Sequence, residues 1–146
     1  MKNRLAAFAA AVSVAAGIVL AGGTAAQAAV GVKFSYGTLN YGPVISAERT
    51  AIDDYMGDAE WFQDPSEYYT GDTIAAADYS ADGYGIEAYL VSTSGTLLRT
   101  ATTRGHSSIY IDYASGNLPE NTKYFMYMCV VQGSYSNCSN SVAVYS

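Results

Sequence analysis

The only two cysteines of this chain, Cys129 and Cys138, flank a Gly133-Ser134 pair in the run YMCVVQGSYSNC. That arrangement restricts the local geometry to a hairpin. Glycine supplies the positive φ that a type II′ turn needs at its first central position. Gln132 then faces Tyr135 and, counting outward, Cys129 faces Cys138 at a non-hydrogen-bonded site, where Cα atoms approach to about 4.5 Å and a disulfide closes. Loop-closure entropy gives such a bridge about 2.7 kcal/mol, so it is a staple that fixes register. One conflict remains. With Tyr124, Met126, Met128 and Val130 turned inward, Cys129 points outward, and this register sends Val142 and Val144 outward too. A bulge near Ser139-Asn140 would turn both valines in.

A disulfide needs an oxidising compartment, and the N-terminus reads as an export signal. In Met1 to Ala28, Lys2 and Arg4 precede an alanine-rich apolar run from Leu5 to Ala21, and Ala26-Gln27-Ala28 offers the small residues of a cleavage site. The mature protein is expected to start near Ala29, to be secreted and, after cleavage, to have no membrane attachment. Residues 29 to 146 suit a single domain and leave no room for two. That domain sets five basic residues against thirteen acidic ones, a net charge of −8. Lys33, Arg49, Arg99, Arg104 and Lys123 are scattered along it, whereas phosphate binding needs clustered cations, so no nucleic-acid partner is expected.

Val30 to Tyr36 reads as a first strand and Asn40-Tyr41-Gly42-Pro43 as a turn. Val44 to Ile52 admits both a short helix capped by Ser46 and a strand; the strand is preferred. Thr73 to Tyr79, Tyr84 to Ser92, Thr96 to Thr103 and Ser107 to Tyr113 have strand length and are separated by turn residues, among them Asp82-Gly83, Ser94-Gly95 and Ser115-Gly116-Asn117. In the second of these runs Tyr84, Ile86, Ala88 and Leu90 share one face. The spacing predicts an all-β fold, an antiparallel β-sandwich of about seven strands with one long loop.

Leu118-Pro119-Glu120-Asn121-Thr122-Lys123-Tyr124 resembles the L-x-P-x-T-x-Y corner of fibronectin type III domains. Leu118, Thr122 and Tyr124 keep their places; the proline comes one position early, and the tryptophan usual in the second strand is missing. The resemblance covers Ser107 to Ser146. It implies an immunoglobulin-like sandwich in which Leu118 packs down and the Tyr124 hydroxyl bonds back to the corner. Tyr127-Met128-Cys129 is also similar to the Y-x-C of an immunoglobulin sixth strand, but that fold needs a cysteine in its second strand and Thr73 to Tyr79 has none. More loosely, the leader, the ADGYGIEAYL stretch and the late cysteine pair resemble small exported actinobacterial proteins of unassigned role.

Asp53 to Asp72 differs in kind. It holds seven of the thirteen acids and no basic residue, interleaved with Tyr55, Trp61, Phe62, Tyr68 and Tyr69. Neither helical nor strand periodicity is sustained, and Gly57, Pro65 and Gly71 interrupt it, so it reads as the long loop. Long loops in compact domains are often functional. These five aromatics, with the carboxylates of Asp58, Glu60 and Asp64, are the candidate ligand-binding residues, suited to sugar rings, cations or a basic partner. The competing structural reading tucks Trp61 and Phe62 under the sandwich as plugs.

Other motifs point to less. Asp78, Ser80 and Asp82 before Gly83 match the first half of a calcium loop, but Tyr89 stands where the bidentate glutamate belongs, so the stretch reads as an Asp-Gly turn. His106 lies in a turn without a nucleophile elbow near it. Pairs such as Asp58 and Glu60 have the residue types for glycoside hydrolysis but no cleft. No metal or cofactor is expected. The sequence favours a secreted, non-enzymatic binding module for an extracellular polysaccharide or protein. Its contact surface is expected in Asp53 to Asp72, with the hairpin turn at Tyr135 as an addition; the alternative is an inhibitor of an extracellular enzyme that presents a rigid loop, with the Cys129-Cys138 hairpin as its preorganised element.

Overall fold

The computed structural model describes residues 30–146, so the expected export signal, Met1 to Ala28, lies outside the described residues. Ten strands follow in order: β1 (Val32–Leu39), β2 (Gly42–Arg49), β3 (Asp54–Phe62), β4 (Thr73–Asp78), β5 (Gly85–Ser92), β6 (Leu97–Thr102), β7 (Tyr110–Ala114), β8 (Lys123–Gln132), β9 (Tyr135–Cys138) and β10 (Val142–Tyr145). One sheet, sheet A, has the order β1-β2-β3-β4-β7. The other, sheet B, has the order β10-β8-β5-β6, and β9 pairs with β8 beside β10. Every pairing is antiparallel, and the two sheets pack as a β-sandwich.

The core lies between them. Ile86, Ala88 and Leu90 of β5 face inward as their alternation predicts, opposite Val130, Met128 and Met126 of β8. Sheet A contributes Ile45, Ala59, Trp61 and Ile74. Trp61 is 1% exposed, and its Nε1 donates to the Tyr145 carbonyl at 2.8 Å, tying the two sheets together. A buried indole needs such an acceptor.

The hairpin follows the predicted register. Cys129 faces Cys138 and Gln132 faces Tyr135; the disulfide spans a Cα separation of 4.0 Å, and Gly133 has φ 54°. Further along β8, Val142 faces Met126, so β10 is displaced by one residue relative to β9, and Val144 is buried. Ser139 takes up the shift: its N–H donates to the Met128 carbonyl at 2.9 Å and its Oγ accepts the Met128 N–H at 3.1 Å. At the corner, Leu118 packs against the core and Tyr124 is buried. The corner is tied to Ser146, and the Leu118 N–H donates to Asp72 Oδ2 at 2.8 Å. Asn121 N–H donates to the Ser146 carbonyl, Ser146 N–H to the Thr122 carbonyl, and the Ser146 hydroxyl to the Pro119 carbonyl.

The expected long loop is where structure and sequence reading part. Asp54–Phe62 is β3, the middle strand of sheet A, which leaves Asp53 in a turn and residues 63–72 irregular. Together with the short β9 and β10, this brings the strand count to ten instead of about seven. Alternation does exist in β3, but one bulge interrupts it. Ala47 pairs with Gly57 and Glu48 with Tyr55, which leaves Met56 as the extra residue. Met56, Ala59 and Trp61 therefore enter the core, while Tyr55, Asp58, Glu60 and Phe62 take the outer face. Gly57, which reads as a breaker, is demanded by sheet packing: a Cβ there would lie 2.1 Å from the Ala77 carbonyl oxygen.

Candidate functional site

The outer face of sheet A carries a shallow trough of about 90 Å³ built from β3, β4, β7 and the 63–72 loop. Its floor is Ala75 and Ala77 of β4. Ala75 lies between Glu60 and Tyr113 on the neighbouring strands, and Ala77 between Asp58 and Ile111. Two methyl side chains in mid-sheet leave the depression that larger residues would fill. At one end Phe62 stacks on Tyr69 (centroids 4.1 Å apart), and Tyr69 meets Tyr113 at 5.7 Å and Tyr41 at 6.4 Å. At the other end Tyr55 stacks on Tyr79 at 5.8 Å.

Two carboxylates are set among these rings. Asp58 is 6% exposed, and its Oδ2 accepts the Tyr55 hydroxyl at 2.7 Å. Burial raises its carboxyl above the ordinary range, and that hydrogen bond opposes the rise. Glu60 is pushed up to about 7, first by burial and then by the charge of Asp58. Burial thus disfavours the charged form of both acids, and the Tyr55 phenol offsets part of that effect at Asp58. Tyr79 is pushed up to about 12 by burial and then by both acids. Burial also leads the upward shifts of Tyr55, Tyr69 and Tyr113.

No lysine or arginine of the described residues neutralises this pair, because each is engaged elsewhere. Lys33 pairs with Glu48 at 3.5 Å, and Arg49 with Asp82 and, at 3.6 Å, with Asp54. Arg99 donates to the Asp72 carbonyl, Arg104 bonds Glu87 at 2.7 Å, and Lys123 lies over the Phe125 ring.

Of the residues singled out in the sequence, Tyr55, Asp58, Glu60, Phe62 and Tyr69 come together here. Trp61 does not: as the inward neighbour of Glu60 it is core, which corrects its reading as a contact residue. Asp64 and Tyr68 are exposed on the 63–72 loop, outside the trough lining. Ala75, Ala77, Tyr79, Ile111 and Tyr113 are additions. Their only local signal is that Ile111 and Tyr113 alternate with Tyr110 and Asp112.

Asp78, Ser80 and Asp82 are bonded within the protein. Asp78 Oδ1 accepts the Ser80 N–H at 3.1 Å, Ser80 Oγ donates to Asp54 at 3.1 Å, and Asp82 holds Arg49 and the Tyr84 N–H. Their turn carries the chain from sheet A to sheet B. His106 is exposed between β6 and β7, stacked on Tyr110 at 3.8 Å. It borders a wider, open depression of about 650 Å³ at that end of the sandwich. Two of its polar side chains are engaged within the protein: Arg104 with Glu87 and the Gly133 carbonyl, and Gln132 with the Gly83 carbonyl. Comparison with protein-family models, curated proteins and solved structures finds no match for this chain.

Proposed function

We propose that this protein is an exported, non-enzymatic binding module that takes an extracellular ligand, carried by a polysaccharide or a protein, in the trough on sheet A. One observation carries the reading: Asp58 and Glu60 are sunk among aromatic rings with no cation of the described chain beside them. Structural carboxylates acquire a partner as the chain folds; these two keep an open side. Hydrolysis is a poorer account. Glycosidase carboxylates face each other across the bond they cleave, whereas Asp58 and Glu60 stand side by side, two residues apart on one strand. In this reading the sandwich is of the immunoglobulin-like, fibronectin type III-like kind, supported by the packing of Leu118 and Tyr124 at the corner.

The inhibitor alternative has less support. Tyr135, beside the turn of the stapled hairpin, packs edge-on against Tyr84 and donates its hydroxyl to the Val30 carbonyl at 2.8 Å, so its ring is engaged within the protein.

The test compares wild type with a Tyr69→Ala/Tyr113→Ala variant on glycan and basic-peptide arrays, with circular dichroism to confirm folding. Wild type should bind members of one array, and the variant should bind them about tenfold more weakly or worse, as for tyrosine anchors at other interfaces. Equal binding by both proteins, or none by wild type on either array, would reject the trough as the contact surface.

A further inference from the structure

We infer that the trough captures an alkylammonium head group, seating it over Asp58 and Glu60 and against the rings of Tyr69, Tyr79 and Tyr113 that line the same trough. This rests on the trough being the ligand site and adds the chemical class of what enters it.

Size comes first. The trough is shallow and small, about 90 Å³, which admits a compact head group resting on its alanine floor. Charge comes second. Ring faces are negative by their quadrupole and attract cations, and aromatic cages are a general solution for substituted ammonium ions. Here the rings stand around two carboxylates, so every charged or polarised group in the lining favours a positive occupant. The third observation is at Asp58. The residue is 6% exposed and lines the trough, its Oδ2 accepts the Tyr55 hydroxyl, and no described lysine or arginine pairs with its carboxylate. A neutral ligand would leave that charge uncompensated, and an anion would be repelled.

Protons compete for the same place. The groups facing Glu60 are Asp58 and Tyr55 on β3, Tyr79 after β4, Tyr69 in the loop, Tyr113 on β7 and Tyr41 beside Tyr69. From β2 it meets only the uncharged Val44 and Ser46. None of these groups is cationic, so Glu60 stays protonated until about pH 7. Cation affinity should therefore fall toward tenfold per pH unit below that point.

The experiment titrates ¹⁵N-labelled protein with choline, with Nα-acetyl-lysine methylamide and with methyl glucoside, at pH 8 and pH 5.5, following the Ala75 and Ala77 amides. At least one cation should shift these amides saturably at pH 8. The binding should weaken about tenfold or more at pH 5.5 and in Glu60→Gln, while methyl glucoside leaves them unmoved. A preference for choline assigns the head group to a free quaternary amine; a preference for the lysine derivative assigns it to a protein side chain. Either one sustains the proposal. If neither cation shifts the amides while array binding still depends on Tyr69 and Tyr113, the cation assignment is wrong and the trough survives as the site. If array binding is also indifferent to those tyrosines, both readings fall. Cation binding that is equal at the two pH values, or unchanged in Glu60→Gln, would also overturn the proposal.

Discussion

Glu60 and Glu87 occupy matching places on opposite faces of the sandwich. Each sits within a strand, partly buried, beside tyrosine rings. On sheet B, Arg104 donates to Glu87 from Nε at 2.7 Å, and Tyr89 and Thr102 add hydroxyl donors. The bond to Arg104, and with less weight the other donors, holds the Glu87 carboxyl below its ordinary range against the opposing effect of burial. The residue facing it on β8 is Cys129 of the disulfide, and the adjacent rings of Tyr89 and Tyr127 lie 4.9 Å apart in a flat stack. On sheet A the same kind of residue has no guanidinium, a second acid for a neighbour and small residues beneath, and it moves the opposite way. A carboxylate whose counter-charge comes from its own chain is finished as part of the fold. One whose counter-charge is missing is open to an outside partner.

The comparison can be sharpened first by cutting the covalent clamp on the sheet B side. Replacing both cysteines (Cys129→Ser with Cys138→Ser) should lower stability by about 2–3 kcal/mol in urea denaturation. The carboxyl titration of Glu60, followed by NMR, should stay where it was, because distant sites act independently; a displaced Glu60 titration would show the faces to be coupled. Next, Arg104→Met removes the counter-charge of Glu87 and should cost about 1 kcal/mol at pH 7, the scale of a partly exposed ion pair. A lowered folded-state value stabilises above the unfolded value of 4.5 and is lost as pH falls through the folded one. Wild type and variant should therefore converge in acid, and equal stability at pH 7 would mean that the pair contributes nothing. The smallest effect belongs to Glu60→Gln. A raised folded-state value means that wild type loses stability as pH rises from 4.5 through about 7. The glutamine variant should gain about 0.5 kcal/mol at pH 8, reduced by solvent at the open side, and nothing at pH 4. If the two proteins unfold alike at pH 8, Glu60 is not desolvated and the contrast with Glu87 collapses.

What the sequence disclosed was local. The Cys129–Cys138 register, the inward face of β5 and the bulge before β10 all follow from counting along short segments. β3 escaped because its bulge at Met56 resets the two-residue period, and because acids without basic neighbours look solvated. The trough escaped for a different reason. Its floor and far wall exist only once β4 pairs with β7, which sets Ala75 beside Tyr113, and nothing in either segment announces its partner. Trp61 shows the same limit: its acceptor, the Tyr145 carbonyl, lies 84 residues away. Asp53 to Asp72 stands out by composition, but the bulge hides its alternation, and composition alone does not separate inward Trp61 from outward Asp58 and Glu60.

The one-residue offset between β9 and β10 has a consequence for insertions and deletions. Both strands read β8, and Ser139 to Ser141 sets the frame in which the second reads it. Losing or gaining one residue in that segment would exchange Val142 and Val144 for Ala143 and Tyr145 on the core side. A change of two restores the parity. Length variants of this segment should therefore be viable in even steps and defective in odd ones.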